Sequence, residues 1–246
     1  MATSAIVVRG ADGTPAPAPP VNGNDALPLA DGGRGTSGKT AWWGLECTLS
    51  ATPGAQGNPA SGAPPASNGG TGRAAPSLSL TIAKISTSGP LAITVSGGTG
   101  ARGGNGGIGG TGGQGGQAGT QPTACTTKYG PVKGGPGGPP GHGGDAGTGG
   151  AGGDGALASV IYDERLTKLD VSLNCIGGSG GDPGDPGKPG TPGKGGLGSD
   201  GTPARDGTTA SPGGVGGQSS GGSSGSGSVT PVSTLAVELK LVVARL

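Results

Sequence analysis

Apolar residues alternate with small or polar ones in several short stretches of the chain. In one stretch Leu91, Ile93 and Val95 alternate with alanine, threonine and serine and lead directly to Gly97. Such alternation is typical of a half-buried β-strand, whose successive side chains point to opposite faces. No stretch combines helical spacing with capping residues, so we expect almost no α-helix. The predicted β-rich segments are residues 2–8, 41–50, 78–96, 158–176 and 232–246.

Between these stretches the pattern changes to a repeat of three residues. Three runs of eight triplets each carry glycine at one or two positions of most triplets, and a weaker run has a small residue at every third position. Equal runs of one pattern predict one structural unit that is used several times. The clear runs cover residues 97–120, 134–157 and 177–200, and the weaker run covers residues 54–77.

A repeat of three fits an extended left-handed helix with three residues per turn. This helix makes no internal hydrogen bonds, so its N–H and C=O groups need partners on other segments or in water. Glycine has no Cβ, so two glycine faces allow neighbouring helices to approach and to bond, while the third position forms an outward ridge. We expect a single glycine-rich domain over residues 1–246, mostly irregular and β, in which a bundle or layer of polyglycine-II or polyproline-II helices is anchored by short β-strands.

The run at residues 177–200 differs from the others because proline occupies the first position of successive triplets. These prolines are Pro183, Pro186, Pro189 and Pro192. Part of this run fits the Gly-X-Y pattern of collagen, but glycine at two positions of each triplet in the other runs would weaken a triple helix. Because proline removes an N–H donor, we expect this run at an edge of the bundle, with its proline face turned away from its neighbours.

Composition narrows the class of protein further. Of 246 residues 64 are glycine and 23 are proline, whereas phenylalanine is absent and only two tryptophans and two tyrosines occur. A conventional core of large side chains cannot extend along such a chain, and disorder is the alternative that this composition leaves open. A formal net charge of +1 provides no basic surface for phosphates, so we expect no nucleic-acid partner.

The start of the sequence has no recognisable signal peptide, and no apolar run reaches transmembrane length. We therefore expect no membrane span, and an extracellular, surface or virion location would need a different export route. Three cysteines, Cys47, Cys125 and Cys175, allow at most one internal disulfide and lack the spacing of a metal site. We interpret them as small buried apolar residues.

Residues 33–40 match the phosphate-binding loop pattern, with Gly33 and Gly38 followed by Lys39 and Thr40. That pattern cradles phosphates where it joins a buried strand to a helix. Here the preceding stretch contains Pro28, and the following stretch alternates like a strand. We therefore predict a glycine-rich turn, with no nucleotide cofactor and no nucleotide hydrolysis.

Two other features raise the question of a metal or catalytic site. Residues 149–157 resemble one calcium-binding repeat of a parallel β-helix, but the repeat occurs once and Ala156 stands where a large apolar residue is expected. His142 is the only histidine, so no histidine cluster is available for a metal or a proton relay. We predict that Asp154 and His142 lie on outward ridges, and that the protein is not an enzyme and has no catalytic, cofactor-binding or metal-binding residues.

Trp42 and Trp43 are adjacent in the predicted strand at residues 41–50. Alternation along a strand would direct one ring inward and the other outward. The outward ring is a candidate interface residue or a satellite core contact. Irregular segments around Trp42, Tyr129 and Arg205 are candidates for specific recognition.

The triplet runs resemble those of springtail antifreeze proteins and of the distal adhesins of certain phage tail fibres. The junctions at residues 95–98 and 175–178, where a strand ends in Gly-Gly and opens a run, resemble those of bacterial glycine-rich proteins described as collagen-like. The resemblance covers about half of the chain and has low complexity, so it implies a polyglycine-II fold and transfers no binding residue.

Three functions follow as expectations. The preferred one is a structural subunit of an extracellular filament or surface fibre, which self-associates through the apolar strands at residues 5–8 and 235–246 because sheet edges recruit other chains. The alternative is a receptor-binding adhesin of a phage tail fibre or a similar device, with a cell-surface receptor as its partner. Ice binding is third, since Arg102, Ile108 and Lys188 interrupt the flat face of small residues that it would require.

Overall fold

The computed structural model describes residues 4–25, 31–83, 89–163, 165 and 170–232. Within these residues the chain forms short strands, one short helix and long extended segments that belong to neither class. This confirms the prediction of a mostly non-helical chain with short strands. The elements are β1 (Ser4–Arg9), β2 (Lys39–Thr40), β3 (Cys47–Leu49), β4 (Leu78–Ile82), β5 (Leu91–Ser96), α1 (Thr123–Tyr129), β6 (Ala158–Asp163), β7 (Val171–Ile176) and β8 (Gly227–Val232).

Six of the strands form two parallel sheets of three strands each. The first sheet has the order β1-β5-β7, and the second has the order β4-β6-β8. The remaining pair, β2 and β3, forms a small antiparallel hairpin. Strands that pair in one sheet are therefore far apart in sequence, as parallel pairing requires.

Six extended segments continue these strands away from the sheets. Segments 1, 3 and 5 leave the first sheet, and segments 2, 4 and 6 return to the second. We define segment 1 as residues 10–25 and 31–38, segment 2 as residues 51–77, segment 3 as residues 97–120, segment 4 as residues 134–157, segment 5 as residues 177–198 and segment 6 as residues 204–226.

Segments that leave the same sheet run parallel and form a layer. In the first layer, Gly100 and Gly115 of segment 3 donate their N–H groups to the carbonyls of Ser179 and Lys194 in segment 5, at 2.9 and 2.8 Å. In the second layer, the bonds from segment 2 to segment 4 repeat in the same way every third residue. One N–H of each triplet of segments 2 and 3 is thus used within the layer.

A second N–H in most triplets of segment 3 crosses to the other layer, where the neighbouring segment runs antiparallel. Gly98 donates to Arg73 at 2.8 Å and Gly119 donates to Thr52 at 3.1 Å, so segments 3 and 2 run in opposite directions. Segments 3 and 4, and segments 4 and 5, are joined in the same manner. These contacts confirm that residues 97–120, 134–157 and 177–200 are neighbours joined by backbone hydrogen bonds.

Segment 5 lies at an edge of the first layer, as the proline pattern predicted. Its prolines occupy the triplet position that in segment 3 donates to the next segment of the layer. On segment 5 that position faces outward, where the described residues include no further segment. Proline is well suited to this position because no donor is left without a partner.

The apolar core lies between the two sheets, at what we call the strand end. Ile93, Val95 and Val160 are almost fully buried and are surrounded by residues of β1, β4, β6 and β7. Free Cys175 packs against this core and is partly buried. Apolar burial therefore stabilises one end of the molecule, while the segments depend mainly on backbone hydrogen bonds.

Three sequence predictions need correction or completion. Of the predicted strand at residues 41–50, only β3 forms, because residues 41–46 fold into a turn in which Gly44 has a φ of 75°. Helix α1 was not predicted. β8 begins at Gly227, before the predicted C-terminal strand at residues 232–246, of which all but Val232 lies outside the described residues.

The packing of segment 3 predicts that glycine is required on its two inner faces. A Cβ at Gly107 would overlap the carbonyl oxygen of Val21, whereas Asn105 points outward and makes one side-chain bond, to the N–H of Asp185 at 2.9 Å. We expect Gly107→Val to lower the free energy of unfolding by about 3 kcal/mol or more. Asn105→Ala, the matched control, should lower it by about 1 kcal/mol. Urea unfolding measures both, and equal losses would contradict this packing.

Candidate binding surface at the loop end

Three connections meet at the end of the molecule opposite the sheets, which we call the loop end. The hairpin of β2 and β3 joins segments 1 and 2, the connection that contains α1 joins segments 3 and 4, and a turn at residues 199–203 joins segments 5 and 6. The middle connection contacts the other two. Val132 and Ser199 exchange hydrogen bonds, and α1 packs on β2 and β3.

A disulfide links the hairpin to the helix. Cys47 and Cys125 are bonded across 78 residues of sequence, and both are buried. The sequence allowed one internal disulfide without indicating a pair, and the structure joins Cys47 to Cys125 and leaves Cys175 free. Gln121 strengthens the same junction, since its Oε1 accepts from the N–H of Ala51 at 2.8 Å and its Nε2 donates to Ser50 Oγ at 3.1 Å.

The aromatic side chains of this end are exposed. Trp42 is 92% exposed, Trp43 is 51% exposed, and their rings meet edge to face with centroids 5.6 Å apart. The prediction of one inward ring was wrong, because the turn at residues 41–46 replaces the strand on which it rested. Leu45, 85% exposed, extends the apolar surface.

Tyr129 adds a third exposed ring at the end of α1. The Lys128 Nζ lies 5.1 Å from the centroid of this ring, a cation–π distance. The chain has two tryptophans and two tyrosines, and three of these four rings are exposed at the loop end. The irregular segments named from the sequence, around Trp42, Tyr129 and Arg205, thus all lie at one end of the molecule.

A cleft of about 410 Å³ opens beside the turn at residues 199–203. Its walls come from the start of segment 4 and the start of segment 6. Asp200 stabilises the turn, since its carboxylate accepts from the hydroxyl and the N–H of Thr202, and these bonds lower the pKa of Asp200. The cleft is lined by Lys133, Gly134, Pro136, Thr202, Pro203, Ala204 and Arg205.

The phosphate-loop pattern at residues 33–40 lies in segment 1 and β2. The N–H groups of Gly35 and Gly38 donate to the carbonyls of Gln117 and Thr120, at 2.8 and 2.9 Å. Lys39 and Thr40 then form β2, so the helix that this pattern requires does not follow. These glycine N–H groups already have partners within the protein. The absence of nucleotide hydrolysis stays a prediction.

The ridge positions carry an interaction that sequence reasoning missed. Asp154 Oδ1 accepts from the N–H of Ser223 at 2.7 Å, and His142 Nδ1 lies 3.0 Å from Ser211 Oγ. Asp12 likewise accepts from the N–H and the hydroxyl of Thr99, which lowers the pKa of Asp12. The sequence signal for these bonds was an aspartate or asparagine at the third position of a triplet.

These outward side chains therefore act in lateral bonding and do not form a metal site. Within the described residues, no group of histidine, cysteine, aspartate or glutamate could hold a metal ion. No helix in that part of the chain has the length and apolar character needed to cross a membrane.

Comparisons with known proteins add little. No protein-family model matches the chain, and no curated protein matches it. One solved structure is a springtail antifreeze protein from Granisotoma rainieri, described as a nine polyproline type II helical bundle whose crystal waters match the ice lattice. It is 23% identical, with 87% of this chain and 98% of that chain covered, at a TM-score of 0.11. A TM-score this low carries no argument about fold or function.

The disulfide predicts a local contribution to stability. Replacing Cys47 and Cys125 together by alanine removes a link across a long loop, which the chain-entropy model values at about 4 kcal/mol. We expect the melting temperature to fall and the tryptophan fluorescence to change, because the turn with Trp42 and Trp43 loses its tie to α1. Cys175→Ala, with no disulfide to lose, is the control. An unchanged melting temperature in the double variant would contradict this role.

Proposed function

We propose that the six segments are polyglycine-II or polyproline-II helices, and that the protein is a non-enzymatic adhesin that binds a cell-surface receptor through the loop end. The repeat of bonds supports the first part. In segment 3, one N–H of each triplet is used within the layer, a second crosses to the other layer in most triplets, and the third residue lies on the outward ridge. A helix with three residues per turn directs its three successive residues to three different sides, as this bonding requires.

The exposed aromatic residues are the observation that carries the binding proposal. Tryptophan and tyrosine are enriched at the energetic centres of interfaces, since each buries a large apolar area and offers a polar group. A chain with so few aromatic residues places Trp42, Trp43 and Tyr129 in solvent at one end. The same rings packed inside would have added to a small core.

The architecture around these rings supports recognition by a preformed surface. The disulfide, the bonds of Gln121 and the exchange between Val132 and Ser199 hold three connections to one another. Ordering loops on binding costs free energy, so loops that are already fixed bind more tightly. The disulfide also suits the extracellular location expected of an adhesin.

Binding of labelled protein to intact cells of a panel of bacterial species, measured by flow cytometry, tests this proposal. We expect saturable binding to some cells, and a loss of affinity of about tenfold or more in the Trp42→Ala/Trp43→Ala double variant. Val215→Ala is the matched control, because Val215 is also highly exposed but lies on segment 6. Equal affinity of the double variant and the wild type would contradict the proposal.

Self-association into a filament is the second candidate, and one observation at the strand end favours it. β1 is an edge strand of the first sheet, and its Val7 is 67% exposed. Unpaired backbone groups on such an edge can pair with another chain. β8, an edge strand of the second sheet, is less open to pairing because it contains Pro231. The partner segment first considered, residues 235–246, lies outside the described residues.

Sedimentation and negative-stain imaging of the full chain distinguish the two candidates. If β1 recruits a second copy, we expect filaments at high concentration, and Val7→Lys should abolish them because charge protects a sheet edge. Val21→Lys, an equally exposed position in segment 1, serves as the control. A chain that stays monomeric at high concentration would exclude the filament.

A further inference from the structure

The regular bonding of segment 4 to segment 6 is interrupted at Pro140, which has no N–H, and at Gly134, which has one. Gly137 and Gly143 donate to the carbonyls of Arg205 and Ser211, at 3.1 and 3.2 Å, and the pattern continues to the sheet. By the same spacing Gly134 would donate to Thr202. The carbonyl of Thr202 instead accepts from the N–H of Gly198 at 2.7 Å, because the chain turns there. Among the described residues, the N–H of Gly134 has no partner.

This N–H lies where the cleft opens. Gly134 lines the cleft and is buried, and the triplet repeat places its N–H on the same side as that of Gly137, towards segment 6. Most backbone N–H groups of a folded protein have a protein partner, so an N–H that lacks one at the wall of a cleft is available to a ligand. A ligand that accepts a hydrogen bond at this point would complete the missing bond.

Two cations flank the same opening. Lys133 and Arg205 line the cleft, are exposed, and have no ion-pair partner within the described residues. Neither of the carboxylates at residues 200 and 206 forms an ion pair with them. Asp206 pairs with Lys194 at 2.7 Å, and Asp200 accepts from Thr202. An ammonium, a guanidinium and a free backbone N–H together form a set of donors with no acceptor among them.

We propose that this cleft binds an oxyanion, a carboxylate, sulfate or phosphate group carried by the receptor, with Lys133, Arg205 and the N–H of Gly134 as its donors. Arginine and lysine form strong charge-assisted bonds to such groups, and backbone N–H groups in a concavity add to them. Pro136 and Pro203 provide apolar walls for the adjoining part of the ligand. The link to a receptor rests on the proposed function, whereas the oxyanion site itself does not.

Titration of the ¹⁵N-labelled full chain with sodium sulfate, sodium phosphate or sodium acetate, at constant ionic strength set by sodium chloride, tests the site. We expect the amide signal of Gly134 to shift and saturate with at least one of these salts, and the preferred salt identifies the class of oxyanion. The Lys133→Gln/Arg205→Gln variant should bind at least about tenfold more weakly. Its unshifted Val160 amide reports that the core remains folded.

Arg73→Gln/Lys188→Gln is the matched control, because it removes the same two positive charges from exposed positions outside the cleft. The inference is overturned if the Gly134 signal stays unchanged in all three salts, or if the control weakens binding as much as the cleft variant does. This titration needs no receptor, so its outcome is separate from cell binding. Loss of cell binding in the tryptophan variant without anion binding would leave the proposed function standing and overturn the site.

Discussion

The fold depends on one recurrent contact, the hydrogen bond from a backbone N–H to the carbonyl of a neighbouring segment. The donor is in most cases a glycine, so no Cβ keeps the two backbones apart. A side chain at Gly107 would overlap Val21, and one at Gly106 would overlap Gly144 in the other layer. Each bond contributes only about 1 kcal/mol net, so many are required. Glycine also loses the most conformational freedom on folding. The molecule offsets that cost with two bonds from most triplets of segments 3 and 4, with at least one bonding direction in the other segments, and with an apolar core confined to the sheets.

The strands continue directly into the segments, and the pairing of the strands sets the register of the segments. Ser96 pairs with Ile176 at the end of β5 and β7, and the bonds then pass directly to Gly97 and Ile176 and continue to Ala118 and Leu197. Buried Ile93 and Val95 resist a slip of one residue, because a slip would bring the other strand face inward. The segments alone lack such a constraint, since one glycine triplet resembles the next. A small core can thus fix the alignment of a long repeat.

Residue patterns predicted the local parts of this structure and missed the parts that depend on distant contacts. Alternation located β5 and β7, and proline located segment 5 at an edge. The repeat of segment 1 was faint, because the eleven residues from Gly13 to Gly23 lie along only ten residues of segment 3, from Thr99 to Ile108.

The loop end could not be predicted in the same way. Cys47 and Cys125 are separated by 78 residues, and no local pattern indicates that two connections meet. Helix α1 packs on β2 and β3 and is linked to them by that bond, so its formation also depends on tertiary contacts. The missing bond at Gly134 could not be predicted either, because it depends on the direction of the Thr202 carbonyl.

The residue type at the position that faces the next segment decides whether a layer continues or stops. Segment 4 has glycine or alanine at most of the positions that donate to segment 6, among them Gly143 and Gly149. At the equivalent outward position segment 6 carries side chains such as Val215 and Gln218, which keep a further segment from approaching, and segment 5 carries proline there. Each layer is therefore limited in width by its own sequence, and growth by adding segments at these edges is disfavoured. Contacts with other molecules are then favoured at the two ends, one of which has the open strand edge and the other the exposed tryptophans. This restriction makes the ends, and not the glycine-rich sides, the places at which binding is best tested.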